Sequence, residues 1–224
     1  MYRVSLSGRR VRAAAATVLS LLGLLFIPAA QAALLLSEVL YDAVGSDNGA
    51  VFVELAGAPG TVLDGFRLEG INGADGRVYL TVPLAGTIPA SGLFVVADDA
   101  GGGTTAVASA DLVVNFDFQN GPDSIVLRDP ADRIVDALGY GTFPAGSFFA
   151  GEGRPAPDPA AGASLARGPG LPDSNDNLRD FAVLDVPTPG AAPGAAPVPL
   201  PAAAVLLLSG ILGLVPVARR RRGT

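Results

Sequence analysis

The 224-residue chain contains no cysteine, histidine, lysine or tryptophan, and each absence closes a class of chemistry. Without histidine or cysteine there is no Ser-His-Asp or Cys-His nucleophile and no zinc site of the usual kind; without lysine there is no Schiff base. Carboxylate chemistry alone stays open. No disulfide can brace the fold, so it must rest on its hydrophobic core. Long amphipathic helical patterns are missing from Ala33 onward, which disfavours α/β architectures. Cationic charge is scarce where it would matter most. The formal net charge is −6, but eight of the 15 arginines sit at the two ends, whereas all 21 acidic residues lie between them, so the middle of the chain carries a net −14. A surface of that sign repels phosphate backbones and excludes nucleic acid as a partner.

The two ends have the composition of targeting segments. Residues 1–32 combine a basic start (Arg3, Arg9, Arg10, Arg12), an apolar stretch from Ala13 to Ile27 and the small-residue ending Ala30-Gln31-Ala32. This pattern predicts a signal peptide cut by signal peptidase after Ala32, with an uncleaved anchor as the alternative. At the other end a Val198-Pro199-Leu200-Pro201 knot precedes an apolar run over 202–218 and the cluster Arg219-Arg220-Arg221-Arg222 within a basic tail, 219–224. A helix of that length spans about 25 Å, near the lower limit of roughly 17–25 residues for a membrane crossing. Four arginines behind it predict that the basic end stays in the cytoplasm and that everything before the run lies outside the membrane.

Between the ends, 33–190 forms one domain-sized stretch whose periodicity is that of strands. Nine short runs rich in Val, Leu, Ile and Phe are predicted as strands: 34–41, 51–55, 65–71, 77–82, 93–97, 112–116, 124–127, 133–138 and 181–186. Gly, Asn, Asp and Pro clusters separate them, for example Asn72-Gly73-Ala74-Asp75-Gly76 and Asp129-Pro130-Ala131-Asp132. A Gly/Pro/Ala-rich surface excursion, 141–162, leads to a further short strand at Ser164-Leu165-Ala166-Arg167. From Pro187 the composition turns to Pro, Ala and Gly, so 191–201 reads as an extended linker carrying the proline motif. Many short strands with turns between them predict an all-β sandwich, flanked by an N-terminal signal helix and a C-terminal transmembrane helix.

The tail resembles the PEP-CTERM sorting signals of exopolysaccharide-producing Gram-negative bacteria, closest to the VPLPA type through Val198-Pro199-Leu200-Pro201-Ala202, with Leu200 where the name-giving glutamate would stand. The resemblance implies an exosortase that recognises and cuts the tail, a transient stay in the inner membrane, and delivery to the cell surface or extracellular matrix. The middle resembles a bacterial lamin-tail domain. The resemblance is carried by Leu36-Ser37-Glu38-Val39-Leu40-Tyr41-Asp42, Phe52-Val53-Glu54-Leu55, Leu63-Asp64-Gly65-Phe66-Arg67-Leu68, Asp123-Ser124-Ile125-Val126-Leu127, Ile134-Val135-Asp136-Ala137-Leu138-Gly139-Tyr140-Gly141, Ser164-Leu165-Ala166-Arg167 and Pro187-Thr188-Pro189-Gly190, in that order. It implies an immunoglobulin-like β-sandwich that serves as an accessory or adhesive module, with no catalytic residues to carry over.

Three groups of residues could carry chemistry. Asp173, Asn175 and Asn177 alternate, with Asp176 and Asp180 nearby, in the manner of the start of a calcium loop; Leu178 and Leu184 occupy the positions where such a loop needs glycine and glutamate, so a polar turn is the favoured reading and calcium the second. Glu38 and Glu54 fall on neighbouring strands, a spacing open to an acid and base pair. Alternation puts them out of phase with Val39, Tyr41, Val53 and Leu55, which predicts a water-facing pair. The run Asp98-Asp99-Ala100-Gly101-Gly102-Gly103 opens no helix and has no lysine, so it is a flexible loop and not a phosphate cradle. The function expected from the whole is that of a non-enzymatic exported module, with exopolysaccharide or surface proteins as its partners. A carboxylate-based hydrolase of matrix polysaccharide and a permanently anchored periplasmic scaffold are the alternatives.

Overall fold

The computed structural model of the protein describes residues 33–191. The signal segment 1–32, the Val198–Pro201 motif, the apolar run 202–218 and Arg219–Arg222 lie outside the described residues, as does all of the linker beyond Ala191. Among the described residues no helix is long and apolar enough to cross a membrane.

Ten strands follow one another in the expected order: β1 (Leu35–Leu40), β2 (Phe52–Ala56), β3 (Arg67–Asn72), β4 (Val78–Pro83), β5 (Leu93–Ala97), β6 (Leu112–Val113), β7 (Asp123–Arg128), β8 (Ile134–Tyr140), β9 (Ser164–Arg167) and β10 (Phe181–Leu184), with one helical turn, α1 (Asn177–Asp180), before the last. They form two sheets. The larger has the order β10-β9-β1-β2-β5-β6 and the smaller β4-β3-β7-β8. Every pairing is antiparallel except β5 with β6. The molecule is an all-β, two-layer structure, as the spacing of short strands predicts.

One face of each sheet contributes to a common core. Leu36, Val39, Val53, Leu55, Phe94, Val96 and Leu165 come from the larger sheet, and Leu68, Val82, Ile125, Leu127, Leu138 and Tyr140 from the smaller. Tyr41 stacks on Tyr140 with ring centroids 4.2 Å apart, joining the end of β1 to the end of β8. Burying such side chains supplies about 1.5–3 kcal/mol each, the driving force left to a domain without disulfides.

The outer faces are covered in part as well. On the larger sheet Leu40, Phe52 and Val95 form a second apolar cluster under Val107. The glycine run before Val107 is organised by Asp99, whose Oδ1 accepts from the amides of Gly101, Gly103 and Thr104 at 2.8–3.0 Å. On the smaller sheet Ile71, Val126 and Ala137 pack under Ala150 of the 141–162 excursion. Gly139 is required there, because a Cβ would stand 2.2 Å from the Phe149 ring. Two Gly-rich segments thus act as lids on a sandwich whose layers would otherwise be half wet.

Candidate functional site: two carboxylate centres on the larger sheet

The expectation that Glu38 and Glu54 face water is overturned. Both are completely buried. Their phase is as predicted, opposite to Val39, Val53 and Leu55, and they pair directly across β1 and β2. What alternation does not show is that this face is roofed by the segment after β10.

Its roof is the turn Thr188-Pro189-Gly190-Ala191. The Ala191 amide donates to the Thr188 carbonyl at 2.9 Å and Gly190 has φ +80°, so proline and a left-handed glycine occupy the two central positions in the manner of a type II turn. Glu38 Oε1 accepts from the Thr188 amide at 2.9 Å and from Ser164 Oγ at 2.6 Å, and Oε2 accepts from Thr188 Oγ1 at 2.7 Å. Glu54 Oε2 accepts from the Gly190 amide at 2.7 Å. Its Oε1 accepts from Ser37 Oγ at 2.7 Å, and Ser37 stands where the β1–β2 register shifts, so a bulge aims the hydroxyl. Among the described residues no arginine pairs with either glutamate. Burial pushes the Glu54 carboxyl up to about 6; the Ser37 and Gly190 hydrogen bonds oppose the rise, while Glu38 and Asp111 add to it.

The second centre lies at the end of β9 and has a cation in its middle. Arg167 is fully buried. Its Nη2 binds both oxygens of Asp136 at 2.9 Å, Nε donates to the Leu36 carbonyl at 2.8 Å, and Nη1 donates to the Pro172 carbonyl at 2.6 Å and to Asp180 Oδ2 at 3.3 Å. The Phe181 ring lies under the guanidinium, 4.5 Å from centroid to Cζ. Asp136 Oδ2 also accepts from the Leu36 amide at 2.7 Å, so one carboxylate on β8 ties the smaller sheet to β1 of the larger. Burial pushes Asp136 upward against the opposing pull of Arg167.

The residues singled out for calcium lie beside this centre. Asp180 Oδ1 accepts from Ser174 Oγ at 2.7 Å and Oδ2 from the Ser174 amide at 2.8 Å; these bonds, with Arg167, outweigh burial and hold its pKa below the usual range. Asn177 is buried and turned inward: its Oδ1 accepts from the Gly139 and Glu152 amides at 2.8 and 2.9 Å, and its Nδ2 donates to the Ala137 carbonyl at 2.9 Å. The carboxamide therefore occupies the free edge of β8 as a neighbouring strand would. Asn175 is exposed at φ +54°, and Asp176 pairs with Arg154 at 2.7 Å. Asp173 is brought together with Asp136 and Glu152, their ligand atoms within 4.8 Å of one another, and Arg167 Nη1 stands 3.8 Å from Asp173. The cation within this cluster is the guanidinium. Burial and the neighbouring Asp136 and Asp173 push the Glu152 carboxyl up to about 7.

Sequence reasoning did not single out Arg167, Asp136 or Glu152 as a centre. A signal was present in β8, where Asp136 shares the phase of Leu138 and Tyr140 and so points into the core, where an ionised carboxylate requires a partner.

No protein-family model, curated protein or solved structure matches the chain.

Proposed function

We propose that the protein is an exported, non-enzymatic module of the cell envelope. In this reading it is an immunoglobulin-like, lamin-tail-like sandwich, cut by signal peptidase after Ala32 and held in the inner membrane by 202–218. An exosortase then recognises Val198–Pro201 and Arg219–Arg222 and passes the domain to the cell surface or exopolysaccharide matrix of a Gram-negative bacterium. The observation that carries the reading is where the deepest carboxylates are directed. Glu38, Glu54, Asp136 and Asp180 are all committed to bonds that hold the chain together. That arrangement suits a scaffold with an acidic surface, displayed on a tail that follows a fastened turn.

Mass spectrometry of both termini of the mature protein from cell fractions tests this. The expected result is an N-terminus at Ala33 and loss of everything beyond about Pro201, with the domain recovered outside the inner membrane. A chain still ending at Thr224 in the inner-membrane fraction would establish the permanently anchored scaffold instead. The grouping of Asp136, Glu152 and Asp173 is the one observation that favours a carboxylate-based hydrolase of matrix polysaccharide; against it, both Asp136 oxygens are engaged by Arg167. Hydrolysis of exopolysaccharide by the native chain, lost in Glu152→Gln, would decide for that alternative.

A further inference from the structure

Buried carboxylates without a cationic partner need donors, and among the described residues Glu38 and Glu54 find three of their five in one turn: the Thr188 amide and hydroxyl and the Gly190 amide. The other two are the serine hydroxyls of Ser37 and Ser164, which belong to the sheet itself. If the turn lifts, each glutamate keeps its serine and exchanges the turn's donors for water. Lifting Arg167 from Asp136 would leave a charge in the core, whereas lifting the turn leaves two glutamates on a wetted sheet face. The turn is shaped for the site in advance, since Pro189 presets one central dihedral and Gly190 is free to take φ +80°. A Cβ on Gly190 would stand 2.5 Å from Ser109 Cβ, so the seat accepts glycine only. Between β10 and the turn, Asp185 and Val186 are exposed, and Val186 is 73% accessible.

We propose that the Glu38–Glu54 pair is a binding site for a Thr-Pro-Gly turn, occupied by the chain's own residues 188–190, and that this contact is a latch setting the free length of the tail. With the latch closed, ten residues of sequence, 192–201, lie between the fastened turn and the apolar run. With it open the released stretch begins at Asp185, and seventeen residues, 185–201, precede the apolar run. The closed latch holds the proline motif close to the domain, and opening it offers the processing enzyme a longer stretch of accessible backbone. This consequence rests on the sorting reading above; the latch itself does not.

Hydrogen exchange on the purified full chain tests the latch. In the native protein the Thr188 and Gly190 amides should exchange at least tenfold more slowly than that of Val186. In Glu38→Gln/Glu54→Gln that protection should fall at least tenfold, while amides of Val53 and Leu165 keep theirs. Gly190→Ala, which changes only the strap, should do the same and serves if the double variant does not fold. Exchange at Thr188 and Gly190 as fast as at Val186 in the native chain would overturn the latch. So would loss of protection across β1, β2 and β9 together with the turn in Gly190→Ala, because the segment would then be part of one cooperative unit. Pulse-chase of tail removal in cells separates the two readings. Faster processing in Gly190→Ala supports the control of reach, and an unchanged rate overturns it. A native tail that is never removed sinks the sorting reading while the exchange result still decides the latch.

Discussion

The larger sheet compensates buried acid in two ways. At the end of β9 a guanidinium meets Asp136 and Asp180 directly, inside the sandwich and between its layers. On the opposite face of the same sheet Glu38 and Glu54 have, among the described residues, only neutral donors. The first arrangement cannot be opened without stranding charge in a core, so it belongs to the permanent structure. The second can be opened toward water and joins the segment after β10 to the sheet. Burial alone therefore does not say what a charged group is for; the identity of its partners does.

The contrast is sharpest in the variants that remove a partner. Arg167→Met leaves Asp136 and Asp180 without their cation and should destabilise the domain by about 3–5 kcal/mol in urea unfolding, with much of the loss recovered when Asp136 is also replaced by leucine. Glu38→Gln/Glu54→Gln keeps the shape but sets amide groups against amide donors; about 1–3 kcal/mol is expected from the mismatched bonds, and adding Arg167→Met should then give a nearly additive loss. A smaller effect, about 1–2 kcal/mol, is expected for Gly190→Ala because the turn must abandon its left-handed residue. Equal losses for Arg167→Met and the glutamate double variant would erase the distinction drawn between the two centres.

The pH dependence cuts across the two centres. The Glu54 and Glu152 carboxyls titrate near 6 and 7 in the folded chain against an ordinary 4.5, so the folded state keeps protons that the unfolded state has released. Their contribution is fully present below pH 4.5 and is lost as pH rises through those folded values. The unfolding midpoint should accordingly increase as pH is lowered from 8 to 5, by on the order of 1 kcal/mol in stability, and the slope should flatten in Glu54→Gln and Glu152→Gln. Asp180 acts in the opposite sense: its lowered pKa gives stability that disappears only in stronger acid. Smallest of all is the pair Arg154–Asp176, whose arginine side chain is 58% exposed; Arg154→Ala should leave the midpoint unchanged within error.

The strands were legible because period-2 alternation and turn residues are local signals. Leu93–Ala97 and Ser164–Arg167 are found at their predicted bounds, and the other strands differ by a few residues at their ends. The fate of Glu38 and Glu54 was half legible. Alternation assigns a side chain to a face, but whether that face is wet depends on segments far away in the chain, here Thr188 and Gly190, 150 and 136 residues later. The short Pro/Gly-rich stretch after β10 looks like a linker by composition, and its first residues are in fact a turn folded onto the sheet. Arg167 and Asp136 are 31 residues apart on strands of different sheets, so no spacing rule brings them together. The polar turn expected at 173–180 contains α1, and two of its oxygen-bearing side chains, Asn177 and Asp180, turn inward and anchor it.

Asn177 has a consequence at the scale of many molecules. With its carboxamide bonded to Ala137 and Gly139, helped by the Ala156 amide donating to the Gly139 carbonyl at 2.7 Å, the outer edge of β8 presents no open ladder to a passing strand. An exposed β edge is a template for growth from one chain to the next, and crowding makes such growth faster. Asn177 and Ala156 together thus close one route by which copies of this domain would polymerise through their sheets.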